Sequence, residues 1–174
     1  QHIGDLETAQ AFDAFRRVCD DLTRLYDLKP SAVACDSHPD YLSTRHATAV
    51  GLPVIRVQHH HAHVLACMAE NGLSAPVLGV SWDGTGYGLD RTVWGGEFLR
   101  ITDTGFDRVA HLRPFPLPGG DRAIKEPRRA AVGLLYEMLG SEILTREDLE
   151  PLRSFSPQDR RLLGQALAHR INAP

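Results

Sequence analysis

Four of the five residues from His59 to His63, in the stretch "VQHHHAHV", are histidines, and they lie in the interior of the chain, where no terminal tag explains them. On a helix, residues four apart stand one above the other, so His59 and His63 can aim ring nitrogens at one metal ion while His60 and His61 point elsewhere. The same spacing also fits a solvated polar helix start whose histidines only cap or decorate it. A metalloprotease helix of this kind needs a Glu directly after the first His as general base. His60 stands there instead, which sets the protease reading aside.

A second candidate is "SWDGTGYG". A strand ending in Asp83, followed by a turn through Gly84, Thr85, Gly86 and Gly88, offers backbone N–H groups free of side-chain obstruction, which suits a phosphate. Asp83 can ligate a metal or orient a cation on that phosphate. Read as a plain hairpin, the glycines serve only positive φ. The stretch is neither a Walker A loop nor a dinucleotide fingerprint, because the Lys-Ser/Thr ending and the following helix are absent. In "PFPLPGGDRAIKEPRRAA", Gly119, Gly120, Asp121 and Lys125 stand at the start of a helix, placed either to contact ribose or phosphate or merely to cap it. Asp36 and His38 follow a short strand and either line a site or form a turn. "WGGE" marks a β-bulge or a close backbone approach.

The elements that must position these residues follow from periodicity. Apolar side chains at Leu6, Ala9, Phe12, Phe15, Cys19, Leu22, Leu25 and Tyr26 predict an amphipathic helix over residues 5–28, with Asp5 as N-cap. "SAVACD" and "PVIRV" read as short buried strands flanking a helix in "STRHATAV". The histidines open a further helix from Gln58 to about Glu70, with Val64, Leu65, Cys67 and Met68 available to a core and Gly72 as its stop. "APVLGVSWDG", "TVWGGEFLRIT" and "DRVAHLRPF" predict a three-stranded meander. A rigid loop from Pro114 to Gly120 and helices over 126–140 and 157–172 complete the pattern. The change from helices and short strands to a meander places a lobe boundary near Pro76, giving segments 1–75 and 76–174.

With 174 residues, 43% of them hydrophobic, the chain can build a real core. A net charge of −3 without clustered Lys or Arg argues against nucleic acid as a partner. No apolar run reaches membrane-spanning length, and no export signal opens the chain. Cys19, Cys35 and Cys67 read as buried reduced thiols, which fits a cytoplasmic setting. The ends at Gln1 and "INAP" suggest a piece of a longer polypeptide.

Together, "HPDYLST", "VQHHHAH", "DGTGYG", "WGGEF" and "LRPFPLPGGDRAIKEP" resemble, in order and spacing, the HypF family of carbamoyltransferases that mature NiFe hydrogenases. The resemblance runs over nearly the whole chain from "QHIGDLE" onward, within the C-terminal domain that is similar to Kae1/TsaD proteins. It implies an α/β fold of the actin-like, sugar-kinase-like (ASKHA) ATPase type, partial here: the end of a first lobe and the start of a second. It also implies His59, His63 and Asp83 as catalytic metal ligands, and the Gly84–Gly88 turn as a phosphate-binding hairpin for ATP or carbamoyl-adenylate. A further ligand Asp and the rest of the nucleotide pocket belong to a later stretch of the family's sequence. Acylphosphatase-like, zinc-finger and YrdC-like domains would supply the adenylate, and the C-terminal cysteine of HypE would accept the carbamoyl group. No cysteine of this chain is needed as nucleophile.

The metal itself stays open, because two imidazoles and carboxylate oxygens suit zinc, iron or manganese, with magnesium a further option. Other readings are a carbamoyltransferase with a small-molecule acceptor, a non-catalytic metal-binding or interaction module, and a sugar or acetate kinase of the same superfamily. On the ligand assignment, His59→Ala or His63→Ala abolishes metal binding and His60→Ala leaves it nearly intact.

Overall fold

The computed structural model describes residues 4–173; Gln1 to Ile3 and Pro174, which belong to the "QHIGDLE" and "INAP" termini, lie outside them. The described residues form two compact units divided between His111 and Leu112.

The first unit begins with α1 (Ala9–Leu25), capped by Thr8, whose hydroxyl accepts the Ala11 N–H at 3.2 Å. Asp5, the expected cap, instead closes a turn onto the Glu7 N–H. The helix is amphipathic, yet none of its side chains is fully buried. β1 (Val33–Asp36) and β2 (Val54–Val57) pair in parallel, with α2 (Leu42–Ala49) between them in sequence. The parallel register sets Asp36 beside Val57, so both strands end at the same edge.

α3 (His59–Glu70) starts two residues after that edge and packs on the antiparallel meander β3 (Val77–Tyr87), β4 (Val93–Thr102) and β5 (Gly105–His111). Val64 and Met68 meet Trp94, Leu99 and Ile101 in the core of this unit. The buried face of α3 is thus His60, Val64 and Met68, spaced four apart. Leu65 and Cys67 turn outward, and Cys67 is exposed where a buried thiol was expected. All three cysteines are free.

The second unit has its own core of Val132, Ile143, Leu152, Phe155, Leu163 and Leu167. It comprises α4 (Asp121–Lys125), α5 (Pro127–Leu139), a 3-10 turn (Ser141–Thr145), α6 (Glu150–Arg153) and α7 (Pro157–His169). Ser156 caps α7, its hydroxyl accepting the Asp159 N–H, with Pro157 in the first turn. Among the described residues, no helix is long and apolar enough to cross a membrane.

Candidate metal centre

The centre lies at the carboxyl edge of the parallel pair, where open α/β sheets generally receive ligands. Gln58 starts α3 there: its Oε1 accepts the His61 N–H at 2.9 Å. Its amide nitrogen donates to His60 Nδ1 at 3.1 Å and to the Tyr87 carbonyl at 3.3 Å. One buried amide therefore caps the helix and ties it to β3. Gln is not a common cap, so no sequence signal marked it.

The helical spacing then brings His59 and His63 together as expected, with Nε2 atoms 3.2 Å apart. Asp83 comes in from β3, its Oδ2 lying 2.9 Å from His59 Nε2 and 3.5 Å from His63 Nε2. Behind them, His59 Nδ1 is 2.7 Å from Asp36 Oδ2. A carboxylate only accepts, so Nδ1 carries the hydrogen, and in the neutral ring Nε2 keeps a lone pair turned toward Asp83. Asp36 is itself fixed, because its Oδ1 accepts the His38 N–H at 2.7 Å. Asp36 thus both forms the turn and lines the site, and His38 stacks on Tyr41 with ring centroids 4.1 Å apart.

Asp83 Oδ1 accepts the Gly84 N–H at 2.6 Å, whereas Oδ2 is buried and lies within ion-pair distance of both histidines without a hydrogen bond. Two lone-pair atoms 2.9 Å apart repel unless a proton or a cation lies between them. The donor set suits a cation: metal–ligand distances of ~2.1 Å in a tetrahedron put ligand atoms roughly 3.4 Å apart. The observed edges are 2.9, 3.2 and 3.5 Å. Among the described residues these three are the group of His, Cys, Asp or Glu side chains arranged to share an ion.

Two sequence expectations are corrected here. The stretch Gly84 to Tyr87 is not a turn but the continuation of β3; the chain reverses from Gly88 to Thr92, where Arg91 has a φ of 65°. Nor do Gly84, Gly86 and Gly88 adopt positive φ. Gly86 is needed for space, because a Cβ there would overlap the His60 ring. The strand is also bulged. Trp82 pairs with Gly96 and Gly86 with Trp94, leaving Asp83, Gly84 and Thr85 opposite Gly95 alone. "WGGE" is therefore the partner of a bulge, and its Gly95 is where the two backbones approach closely.

His60 is no bystander on a polar helix. It is wholly buried, and burial pushes its imidazole below the usual range. Its four-residue spacing to Val64 and Met68 was the available signal for this place in the core. Gly119, Gly120, Asp121 and Lys125 lie in the second unit. Gly119 and Gly120 have positive φ of 99° and 52°. Gly120 occupies the N-cap position of α4 without a side-chain hydrogen bond, and Asp121 and Lys125 are exposed.

The fold and its motifs define a Kae1-like, ASKHA-type α/β segment. Residues 1–70 match the family model described as the HypF Kae1-like domain, and residues 79–174 match the second subdomain of the carbamoyltransferase Kae1-like domain. The chain belongs to this family of HypF carbamoyltransferase domains. It is 50% identical to the carbamoyltransferase HypF of a Synechocystis strain over 82% of this chain and 19% of that protein. It is 43% identical to the carbamoyltransferase HypF2 of Cupriavidus necator over 100% of this chain and 21% of that one. A crystal structure of full-length HypF in a phosphate- and nucleotide-bound form superposes with a TM-score of 0.86 at 37% identity, covering 99% of this chain and 22% of that one. The chain therefore spans about a fifth of the length of the relatives it matches. A tRNA N6-adenosine threonylcarbamoyltransferase of Geotalea daltonii is 34% identical over 50% of the chain.

Proposed function

We propose that this segment forms the transfer centre of a HypF-type carbamoyltransferase, moving the carbamoyl group of carbamoyl-adenylate to the C-terminal cysteine of HypE. The observation that carries the reading is the convergence of His59, His63 and Asp83 on a cation-sized space, with Asp36 fixing the tautomer of His59. A bound divalent cation, whether zinc, iron, manganese or magnesium, would supply positive charge against the adenylate phosphate and so favour release of AMP. The chain's own part is to hold that charge in place. Asp36 orients His59, the Gly84 N–H orients Asp83, and the Gln58 cap ties α3 to β3.

In this reading Gly84, Thr85, Gly86 and Gly88 line the phosphate side. Residues 1–75 end a first lobe and residues 76–174 begin a second. The acceptor thiolate attacks the carbamoyl carbon, the carbon–oxygen bond to the phosphate breaks, and AMP leaves with the bonding electron pair, giving a thiocarbamate. Acylphosphatase-like, zinc-finger and YrdC-like domains of the same polypeptide would supply the adenylate from carbamoyl phosphate and ATP. The solved HypF with phosphate and nucleotide bound supports the choice of ligand class.

The test is transfer of a labelled carbamoyl group from carbamoyl phosphate to HypE by the protein carrying this chain, with ATP present. His63→Ala should abolish label on HypE, read by mass spectrometry. Undiminished labelling would contradict the proposal, and labelling of a small hydroxyl or thiol compound in preference to HypE would move the acceptor to a small molecule.

A further inference from the structure

Glu97 of β4 is only 2% exposed, and nothing in the metal set explains a carboxylate buried there. Its Oε1 accepts the Gly95 N–H at 3.0 Å, and its Oε2 accepts from Arg108 Nε at 2.6 Å. Gly95 is the residue that faces the bulge alone. A backbone N–H at a bulge loses its regular ladder partner and must find another acceptor; here the side chain of Glu97 provides it. Gly95 is also pressed against the bulge, since a Cβ at this position would stand 3.2 Å from the Asp83 carbonyl and 3.5 Å from that of Gly84.

The carboxylate is anchored on its far side as well. The Arg108 guanidinium lies 4.0 Å over the Trp94 ring and 3.7 Å from Asp90. Asp90 Oδ1 accepts from Trp94 Nε1 at 3.0 Å and from the Thr92 hydroxyl at 2.7 Å. Strand β5, the reversal after β3 and strand β4 therefore converge on one carboxylate, which in turn grips the backbone opposite Asp83. Buried ion pairs seldom stabilise a fold more than apolar side chains of the same volume, so stability alone does not account for this one.

Resting on the metal-centre reading above, we infer that Glu97 is a positioning residue for Asp83. By holding the Gly95 N–H it keeps β3 bulged at Asp83, Gly84 and Thr85, and this sets Asp83 Oδ2 against the two histidines. Without an acceptor at position 97, β3 and β4 slide toward regular pairing and Asp83 loses its aim.

Three variants separate this role from a purely structural one. Glu97→Gln keeps an acceptor for Gly95. Glu97→Met removes it. Glu97→Met combined with Arg108→Met removes it without leaving an unpaired cation, so the fold is retained if the single variant fails. Zn2+ affinity is measured by competition titration on folded protein, with urea unfolding in parallel and exchange of the Gly95 amide followed by NMR in metal-free protein. The expected result is near wild-type Zn2+ affinity in Glu97→Gln, and ~10- to 100-fold weaker binding in both Met variants, with the Gly95 amide protected in the former and unprotected in the latter. Wild-type affinity in the double variant, or an equal loss in Glu97→Gln and Glu97→Met, would overturn the inference. A wild-type protein that takes up no Zn2+ would count against the metal centre instead, and the Gly95 exchange pattern would then decide the role of Glu97 alone, equal protection in all variants overturning it.

Discussion

His60 stands between two proposed ligands and cannot join them, because its ring is enclosed by Gln58, Gly86 and Trp94. His60→Ala should therefore leave a cavity and cost ~2–4 kcal/mol in urea unfolding, as deletions of wholly buried side chains do. Metal uptake by the folded protein should survive. Asp36→Ala should act in the opposite way: stability changes little, but divalent-metal affinity measured by calorimetry falls ~10- to 100-fold, because His59 loses the partner that fixes its tautomer. The meeting of His59 and His63 was readable in the sequence, since four-residue spacing on a helix is local geometry. Of the supporting residues only Asp36 was marked, as lining a site or forming a turn; Asp36, Gln58 and Glu97 act through partners 23, 29 and 11 positions away, and no local pattern encodes those meetings.

At the scale of elements, most strands and helices follow from periodicity, but the bulge in β3 does not, because it is a property of register with β4. Glycine misled for the same reason. Gly84 and Gly86 looked like turn residues, whereas they lie within the strand, and Gly86 makes room for a histidine from α3. Gly133 in α5 gives a similar lesson: a Cβ there would collide with the Pro116 carbonyl oxygen. Helix propensity alone would make Gly133→Ala stabilising by about 1 kcal/mol. The collision reverses the sign, and urea denaturation should show a loss of ~1–3 kcal/mol.

Glu126, where α4 meets α5, adds a pH dependence. Hydrogen bonds from Arg128, then Arg129 and Arg122, lower its carboxyl from 4.5 to about 2. A carboxylate lowered on folding stabilises above its unfolded pKa, and that contribution disappears as pH falls from 4.5 to about 2. Glu126→Gln should therefore flatten the acid limb of stability across that window, followed by thermal unfolding against pH.

At the scale of the whole molecule, the described residues form two units with separate cores, and the three convergent side chains proposed to hold a cation lie entirely within the first. The family was readable in the sequence, because several motifs occur together in order, and the family models and relatives establish it. The acceptor came from the resemblance alone, since no motif in these residues specifies one. What the account requires of the molecule is that the three convergent side chains take up a cation. The most direct measurement is metal content and calorimetric titration with Zn2+ and Fe2+ on the wild-type chain and on His59→Ala, His63→Ala, Asp83→Asn and His60→Ala. One ion per chain in the wild type and in folded His60→Ala, with none in the other three, is the result expected. Equal uptake by all five, or the same loss in His60→Ala as in His59→Ala and His63→Ala, would contradict it.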